Sequence, residues 1–441
     1  HPDWSYYDHP AGVAVLIRVG TALAGSGPFG IRWLNAFLGT ATVAIVCEVG
    51  RRLMSWPAGL LAAMVLAVGA PYLVTSRFVY TNALSLFLIL LNLLAFWRMT
   101  ARDAGPRSGL VFGITAALLF NVKYIAYVYA FALAVALLVD HRHLLRHSRL
   151  WIGVAIGCLG LLPVLVWNAQ NGWASFRWQA SHVASGALPS GGALGRAHHA
   201  WVYLTGPLIL LAALGLGRWR GAAKRLLTLV ALCLLTPVAL TPLDTPRTAS
   251  TAVVLLLILA AARLPSPVRT RRDQALRALV IILTVGAAVF GIGTVAALGG
   301  PSGLPRSSIV PAILQDSAGW PELAQEINSG PSPIFALDYS IAGQIEYYTQ
   351  RPAYTSWGQF ALWGIPAFSD ATVVSLDYVD TRLVTAKLRD AFRRVDGPHR
   401  LVVRAREAGK VVYVWYAYQL EWDQEAFLRS FDFLTLLEES D

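Results

Sequence analysis

The sequence predicts an α-helical polytopic membrane protein of about nine or ten transmembrane helices, followed by a C-terminal extracytoplasmic α/β domain. Of the 441 residues, 56% are hydrophobic and only 14% are charged, whereas soluble domains are about a quarter charged. Many hydrophobic residues form runs close to the roughly 20 residues that cross a bilayer. The C-terminal third lacks such runs and has the opposite net charge, which separates it from the membrane part.

Apolar runs between charged, Pro or Gly residues mark the predicted membrane domain, residues 1–298. A mildly amphipathic stretch between Pro10 and Gly25 is typical of a helix on the membrane surface, so residues 1–30 form an outer loop and surface helix. The predicted spans are 31–50, 57–76, 80–97, 108–121, 122–139, 150–168, 201–217, 224–241, 248–263 and 277–298.

Positive charges predict which side of the membrane each loop faces. Residues 1–298 carry 24 Lys and Arg residues against 7 Asp and Glu residues. If Arg51 and Arg52 are cytoplasmic, alternation of the spans places 17 of the 24 on that side, as the positive-inside rule requires. Alternation then places residues 1–30, the loop 169–200 and the chain after 299 outside the cytoplasm.

The tail carries 12 Lys and Arg residues against 18 Asp and Glu residues over 299–441. Its first part, 299–330, is the predicted linker, and 331–441 is the predicted soluble extracytoplasmic α/β domain. Short apolar runs and a turn signal at 407–410 predict strands, and helical spacing predicts helices. The predicted strands are 334–337, 372–376 and 411–416, and the predicted helices are 341–350 and 381–394.

The net charge of +11 does not indicate nucleic-acid binding, because the basic residues stand in short loops between apolar segments. The three cysteines, Cys47, Cys158 and Cys233, lie far apart inside apolar segments. This arrangement predicts neither a disulfide nor a metal site.

Polar residues near the outer ends of the spans are the candidate site residues, because ionisable groups at membrane depth are costly and commonly line a cavity. A cleft with a carboxylate and several cations suits a substrate that carries phosphate and hydroxyl groups. The candidates are Asp8, His9, Asn82, Lys123, Tyr124, Asn168, Gln170, Arg177 and Arg247.

Most candidates also have a structural interpretation. Lys123 is equally typical of a lysine that snorkels to the interface, and Asp8-His9-Pro10 is equally typical of a turn and helix cap. Asn168 and Gln170 are also consistent with loop residues at a helix end, and Arg247 with a local ion pair. The aromatic residues within 4–7, 167–178 and 201–203 favour an interfacial belt over a sugar platform.

Several strings of residues together resemble one family. Tyr7-Asp8-His9-Pro10 is similar to an aromatic-Asp-His-Pro-Pro string, and Lys123-Tyr124 to a Lys-Tyr pair after a span. Trp167-Asn168 followed by Trp-x-Ser-Phe at 173–176 completes the pattern. These strings resemble the GT-C superfamily of polyprenyl-phosphate-sugar glycosyltransferases, in the branch of the dolichyl-phosphate-mannose-protein mannosyltransferases and the lipid A aminoarabinose transferase.

The resemblance implies a GT-C type fold and inverting transfer of a sugar from a polyprenyl-phosphate donor to a glycan, lipid or protein acceptor at the outer face of the cytoplasmic membrane. It makes Lys123, Arg177 and Arg247 the donor-phosphate ligands and Asp8 the candidate catalytic carboxylate. No cofactor is required, and a divalent cation is an option in this superfamily that no ligand cluster here demands. The sugar and acceptor contacts would be His9, Asn82, Tyr124, Asn168 and Gln170.

Two departures from the family leave a second function open. The usual catalytic Asp of the family stands just upstream of the Asp-His-Pro string, so we expect this chain to be a fragment that begins after that Asp and the helix before it. Asn82 stands where the family often has Asp, and an amide cannot act as a base. The alternative is a non-catalytic scaffold of the same fold, whereas a transporter is disfavoured because no inverted repeat is evident.

Overall fold

The computed structural model divides the chain into two compact units, 1–296 and 297–441. The first unit is helical, and the second contains a five-stranded sheet. The structure describes residues 3–69, 72, 76, 79–184, 221–240, 245–263, 270–299, 319–337, 339–356, 358–376, 380–405 and 408–431.

The helices of the first unit follow the predicted apolar runs. The predicted span 57–76 begins as a helix that ends at Val68 and is only partly described, and the predicted span 201–217 lies outside the described residues. Each of the other predicted spans coincides with a helix or with two consecutive helices. The helices are α1 (Gly12–Ala24), α2 (Pro28–Leu53), α3 (Trp56–Val68), α4 (Thr81–Met99), α5 (Pro106–Phe120), α6 (Ile125–Asp140), α7 (Ser148–Leu159), α8 (Leu162–Gln170), α9 (Ala174–Ala184), α10 (Ala222–Leu240), α11 (Thr245–Ala261) and α12 (Arg271–Gly299).

Prolines and arginines explain several of the helix ends. Pro28 and Pro106 occupy the first positions of α2 and α5, where the missing N–H of proline costs nothing. Arg51 and Arg52 lie in the last turn of α2 and Arg98 in that of α4, where positive charge interacts favourably with the helix dipole.

The surface of the first unit carries apolar stripes. Leu110, Ile114 and Leu118 recur every fourth residue along α5 and are all exposed, an arrangement that suits lipid chains rather than water. Among the described residues, α2, α4 and the stretch Ser148–Gln170 are long and apolar enough to cross a membrane. The chain is therefore a membrane protein.

Two features hold the helices together. Glycines allow α2 and α3 to approach closely, because a Cβ on Gly59 would stand 2.2 Å from the carbonyl oxygen of Cys47. Asn92 of α4 is buried and donates hydrogen bonds to the Phe112 carbonyl and the Thr115 hydroxyl of α5, both at 2.8 Å. Asn92 also accepts one from the Tyr129 hydroxyl of α6 at 3.0 Å. The polar contacts fix α4, α5 and α6 relative to one another.

The second unit is an α/β fold in which helices cover both faces of the sheet. Its strand order is β2-β1-β3-β5-β4, with β1 parallel to β2 and β3, and β5 antiparallel to β3 and β4. The elements are α13 (Trp320–Ile327), β1 (Ile334–Ala336), α14 (Tyr339–Thr349), β2 (Ala353–Tyr354), α15 (Gln359–Trp363), β3 (Ala371–Leu376), α16 (Thr381–Ala391), β4 (Phe392–Ala405), β5 (Ala408–Leu420) and α17 (Gln424–Ser430).

The structure corrects three boundaries of the sequence prediction. The predicted linker 299–330 is too long, because Trp320 and Ile327 of α13 are buried in an apolar cluster of the second unit. The predicted helix 381–394 ends at Ala391, since Phe392 begins β4. The predicted outer loop 169–200 is not wholly irregular, because α9 lies within it.

Candidate functional site

The N-terminal residues form a tight turn that carries Asp8 and His9. Ser5 and Pro10 pair as an isolated antiparallel β-bridge, and the Tyr6 N–H donates to the His9 carbonyl at 3.0 Å. The turn precedes α1, but the alternative interpretation of Asp8-His9-Pro10 as a helix cap does not hold, because Ala11 occupies the cap position and no side chain caps the helix.

Hydrogen bonds attach this turn to the rest of the first unit. The Gly12 N–H donates to the Asn121 carbonyl, between α5 and α6, at 2.6 Å. The Gln179 side chain of α9 donates from Nε2 to the Asp8 carbonyl at 2.9 Å. Distant parts of the sequence therefore hold Asp8 in place.

Lys123 lies between α5 and α6, and its ammonium donates a hydrogen bond to Oδ1 of Asn82 at 2.5 Å. Asn82 lies at the start of α4 and is buried. The bond joins residues 41 positions apart, at the N-terminal ends of α4 and α6. A lysine that only snorkels would direct its ammonium to the interface rather than to a buried amide, so the contact favours a site role.

Tyr124 connects Lys123 to α9. Its hydroxyl forms a short hydrogen bond with the Ser175 hydroxyl, and its ring packs edge-on against Phe176 with centroids 5.7 Å apart. The Ser5 and Asn168 side chains and the Asp8 carboxylate lie close enough to contribute to the electrostatics around this hydroxyl. The turn, the α5–α6 connection and the start of α9 thus meet at Tyr124.

Asn168 is fully buried and builds the junction of α8 and α9. Its Nδ2 donates to the Val164 carbonyl at 2.9 Å, and its Oδ1 accepts from the Phe176 N–H at 3.3 Å. Its carbonyl oxygen accepts a hydrogen bond from the Trp173 N–H at 2.6 Å, and the backbone of Trp173 is left-handed, with a φ of 62°. Each of these bonds is to the backbone, which supports the structural interpretation: Asn168 positions Ser175 and Phe176.

The remaining predicted residues do not join the cluster around Lys123. Gln170 is exposed at the end of α8, and the exposed Arg177 places its guanidinium beside Gly172. Within the described part of the chain, no hydrogen bond links Arg177 to Asn82 or Lys123. The side chain of Arg247 lies outside the described residues.

An apolar cavity of about 380 Å³ adjoins Tyr124. It lies between α6, α8 and α9, and its lining residues are Tyr124, Tyr127, Leu161, Leu165, Phe176 and Gln179. Leu165 is also exposed on the outside of α8. Because the lining is almost entirely carbon, the cavity suits a hydrocarbon chain better than a sugar ring.

Sequence reasoning missed Ser175 and Gln179 as site residues. Ser175 stands in the Trp-x-Ser-Phe string, which was a usable signal for it. Gln179 contacts Asp8 across 171 positions of sequence, and no local sequence pattern indicates such a contact.

Among the residues that the structure describes, no three His, Cys, Asp or Glu side chains are grouped to hold a metal ion.

Comparison with known proteins identifies the fold. A family model described as dolichyl-phosphate-mannose-protein mannosyltransferase matches residues 8–167, which include Asp8, Asn82, Lys123 and Tyr124. The crystal structure of ArnT from Cupriavidus metallidurans bound to undecaprenyl phosphate matches with a TM-score of 0.59 at 15% identity, over 93% of this chain and 88% of ArnT. The chain has the GT-C glycosyltransferase fold.

Two further comparisons agree with the GT-C fold. The apo structure of the same ArnT matches with a TM-score of 0.57 at 15% identity, over 93% of this chain and 88% of ArnT. The lipid A galacturonosyltransferase RgtD of Rhizobium johnstonii is 28% identical over 181 residues. That match covers 38% of this chain and 36% of the length of RgtD. The GT-C resemblance and the fold class that the sequence predicts are both confirmed.

Proposed function

We propose that this chain transfers a sugar from a polyprenyl-phosphate donor to a hydroxyl of a lipid, glycan or protein acceptor, with inversion, at the outer face of the cytoplasmic membrane. The observation that carries the proposal is the Lys123 ammonium, which donates a hydrogen bond to the buried Asn82, while the next residue, Tyr124, lines an apolar cavity. The names of the similar proteins support the same class of donor and reaction.

Lys123 binds the donor phosphate. During transfer, the bond between the anomeric carbon and the phosphate oxygen breaks, and polyprenyl phosphate leaves with the electron pair. An ammonium already fixed by Asn82 stabilises the charge that develops on the leaving oxygen without further reorganisation. The isoprenoid units next to the phosphate occupy the apolar cavity beside Tyr124, which places the phosphate at the edge of the hydrocarbon layer.

Asp8 is the candidate catalytic carboxylate for the acceptor. The acceptor oxygen attacks the anomeric carbon from the face opposite the phosphate, and its proton passes to a carboxylate acting as general base. The bond from Gln179 to the Asp8 carbonyl and the pairing of Ser5 with Pro10 fix the backbone around Asp8. We expect Tyr124 and His9 to contact the sugar, whereas Asn168 acts indirectly through the backbone of α9.

The test is binding and turnover by the full-length protein in lipid nanodiscs, with undecaprenyl phosphate as ligand and a panel of radiolabelled polyprenyl-phosphate sugars as donors. Lys123→Ala should weaken undecaprenyl-phosphate binding about tenfold or more, the usual effect of losing a charge-assisted hydrogen bond. Arg18→Ala is the matched control, because Arg18 is an exposed cation of α1 on the same predicted side. We expect it to bind as the wild type does.

The outcomes separate the two functions open from the sequence. Turnover of one donor that Lys123→Ala and Asp8→Asn both abolish, in variants that remain folded, supports the transferase. Donor binding without any turnover supports a scaffold of the same fold. A folded protein that binds no polyprenyl phosphate, or one whose binding is unchanged in Lys123→Ala, contradicts the proposed phosphate site.

A further inference from the structure

The connection between α6 and α7, residues 141–147, and the first turn of α7, residues 148–151, form a basic surface that the proposed site does not use. It begins with His141, continues as a 3-10 helix over Arg142–Arg146 and leads into the start of α7. Its exposed basic side chains are Arg142, His143, Arg146 and His147. We refer to these residues, together with Leu145 and Trp151, as the 141–151 surface.

The opposite side of this segment is anchored in the helical unit. Leu144 is completely buried, and the buried His141 ring packs edge-on against Phe96 and Trp97 of α4, with centroids 5.7 and 6.0 Å apart. The buried Arg149 guanidinium donates to the Ala104 carbonyl. These contacts hold the backbone in one arrangement, so the cations are presented on a fixed surface.

The nearby carboxylates are already paired with other cations. Asp140 accepts hydrogen bonds from Nε of Arg225 at 3.0 and 3.1 Å, and Asp103 accepts two from Arg98 at 2.8 and 2.9 Å. Within the described part of the chain, no carboxylate forms an ion pair with Arg142 or Arg146. Their positive charge is therefore left for an anion from outside the chain.

An aromatic side chain lies next to these cations. Trp151 is 55% exposed, and its indole N–H donates to the Leu145 carbonyl at 2.9 Å. Leu145 is itself 37% exposed. Exposed indoles beside arginines are typical of the membrane headgroup layer, where one end of the ring is apolar and the other is wet.

We propose that the 141–151 surface binds anionic phospholipid headgroups, with Arg142 and Arg146 at the phosphates and Trp151 in the headgroup layer. Basic patches at helix ends recognise such lipids through charge and hydrogen bonds. The surface lies at the end of α6 opposite Lys123, since the 16 residues of α6 span about 24 Å. The two sites therefore bind different lipids in opposite leaflets.

The test compares phosphatidylglycerol binding by the purified full chain with that of two double variants, using native mass spectrometry from mixed micelles of phosphatidylglycerol and phosphatidylcholine in equal parts. Arg142→Gln with Arg146→Gln should bind phosphatidylglycerol about 30-fold more weakly, as expected for two cations at a membrane surface. Arg102→Gln with Arg107→Gln removes two exposed arginines, one from the neighbouring α4–α5 connection and one from the first turn of α5. This control should bind as the wild type does.

Two further arms make the outcome decisive. Arg142→Lys with Arg146→Lys keeps the charge and should retain most of the binding, which distinguishes lost recognition from a lost fold. Inorganic phosphate in excess should not displace the lipid, because it lacks a chain to contact Leu145 and Trp151. Equal loss in both Gln pairs, unchanged binding in the first pair, or displacement by inorganic phosphate overturns the proposal.

Discussion

Asn82 fixes the Lys123 ammonium, so substitutions of Asn82 should act through the donor phosphate. Asn82→Ala should weaken undecaprenyl-phosphate binding about tenfold, because a hydrogen bond to a charged group is lost. Asn82→Asp should weaken it further, since a carboxylate neutralises the ammonium and repels the phosphate. Titration of each variant with undecaprenyl phosphate in nanodiscs measures both effects.

Asn92 provides the matched control for Asn82. It is also a buried asparagine of α4, but its amide binds the Phe112 carbonyl and the Thr115 hydroxyl. Asn92→Ala should lower the thermal midpoint and leave the affinity of the folded protein unchanged. A loss of donor binding in Asn92→Ala as large as that in Asn82→Ala would mean that Asn82 acts through general stability.

His141 should make stability depend on pH. Burial lowers the pKa of His141 below its ordinary value of 6.5. The Asp140 carboxylate raises this pKa, whereas the nearby charges of His143 and Arg225 lower it further. As pH falls through 6.5, the unfolded imidazole takes up a proton before the folded one does, so the folded state loses stability. The thermal midpoint should therefore decrease below pH 6.5 and level off once the folded imidazole is also protonated.

The control for His141 is its exposed neighbour. His141→Gln should reduce the fall of the thermal midpoint between pH 7.5 and pH 5.5, and His143→Gln should leave most of it in place. If both variants keep the wild-type slope, other groups cause the pH dependence.

The packing of α2 on α3 depends on the absence of side chains at one contact. A Cβ on Gly59 would stand 2.2 Å from a carbonyl oxygen of α2, and one on Gly50 would stand 2.4 Å from the Cα of Gly59. Gly59→Ala should therefore force the helices apart and lower the free energy of unfolding by about 1–3 kcal/mol. Gly157→Ala in α7 is the control, since its Cβ would make an ordinary contact, 3.4 Å from the Ala116 Cβ.

Denaturation of both glycine variants in the same detergent tests this prediction. Gly157→Ala should be neutral or slightly stabilising, because alanine favours the helix over glycine. An equally stable Gly59→Ala would show that α2 and α3 separate at little cost.

The elements that the sequence predicted well are those encoded by one continuous pattern. Apolar runs gave the helices of the first unit, and β1, β3 and β5 are apolar runs of strand length. The exception is β4, an edge strand with the exposed residues Arg393, Arg394 and Arg400, which pairs along its length with β5. Such a strand has no hydrophobic signature of its own, since only its pairing with β5 defines it.

For the candidate site, the sequence could indicate individual residues but not the contacts between them. Charged and amide groups stand out in an apolar sequence, so Asp8, Asn82 and Lys123 could be selected as candidates from the sequence alone. The sequence could not indicate that the Lys123 ammonium contacts Asn82, or that Asn168 serves the backbone, because both facts depend on how separate helices pack.

The two units of the chain differ in where they place their large apolar residues. The first exposes apolar stripes, whereas the second places its large apolar residues on both faces of its sheet. On one face Phe335, Trp415 and Phe427 are almost completely buried, and on the other Trp320 and Val414 are. Because each face has its own cluster covered by its own helices, the second unit meets the requirements of an independent domain.

Residues 297–441 should therefore fold when expressed alone. We expect a cooperative thermal transition in near-UV circular dichroism and a blue-shifted tryptophan emission from the buried Trp415, whose indole N–H donates to the Thr385 hydroxyl at 2.9 Å. Val414→Asp should abolish both signals, because it buries an unpaired carboxylate in the middle of β5. The exposed Arg400→Ala, on the neighbouring edge strand, should leave them unchanged. A broad transition and a red-shifted emission from the isolated unit would show instead that its fold requires the membrane part.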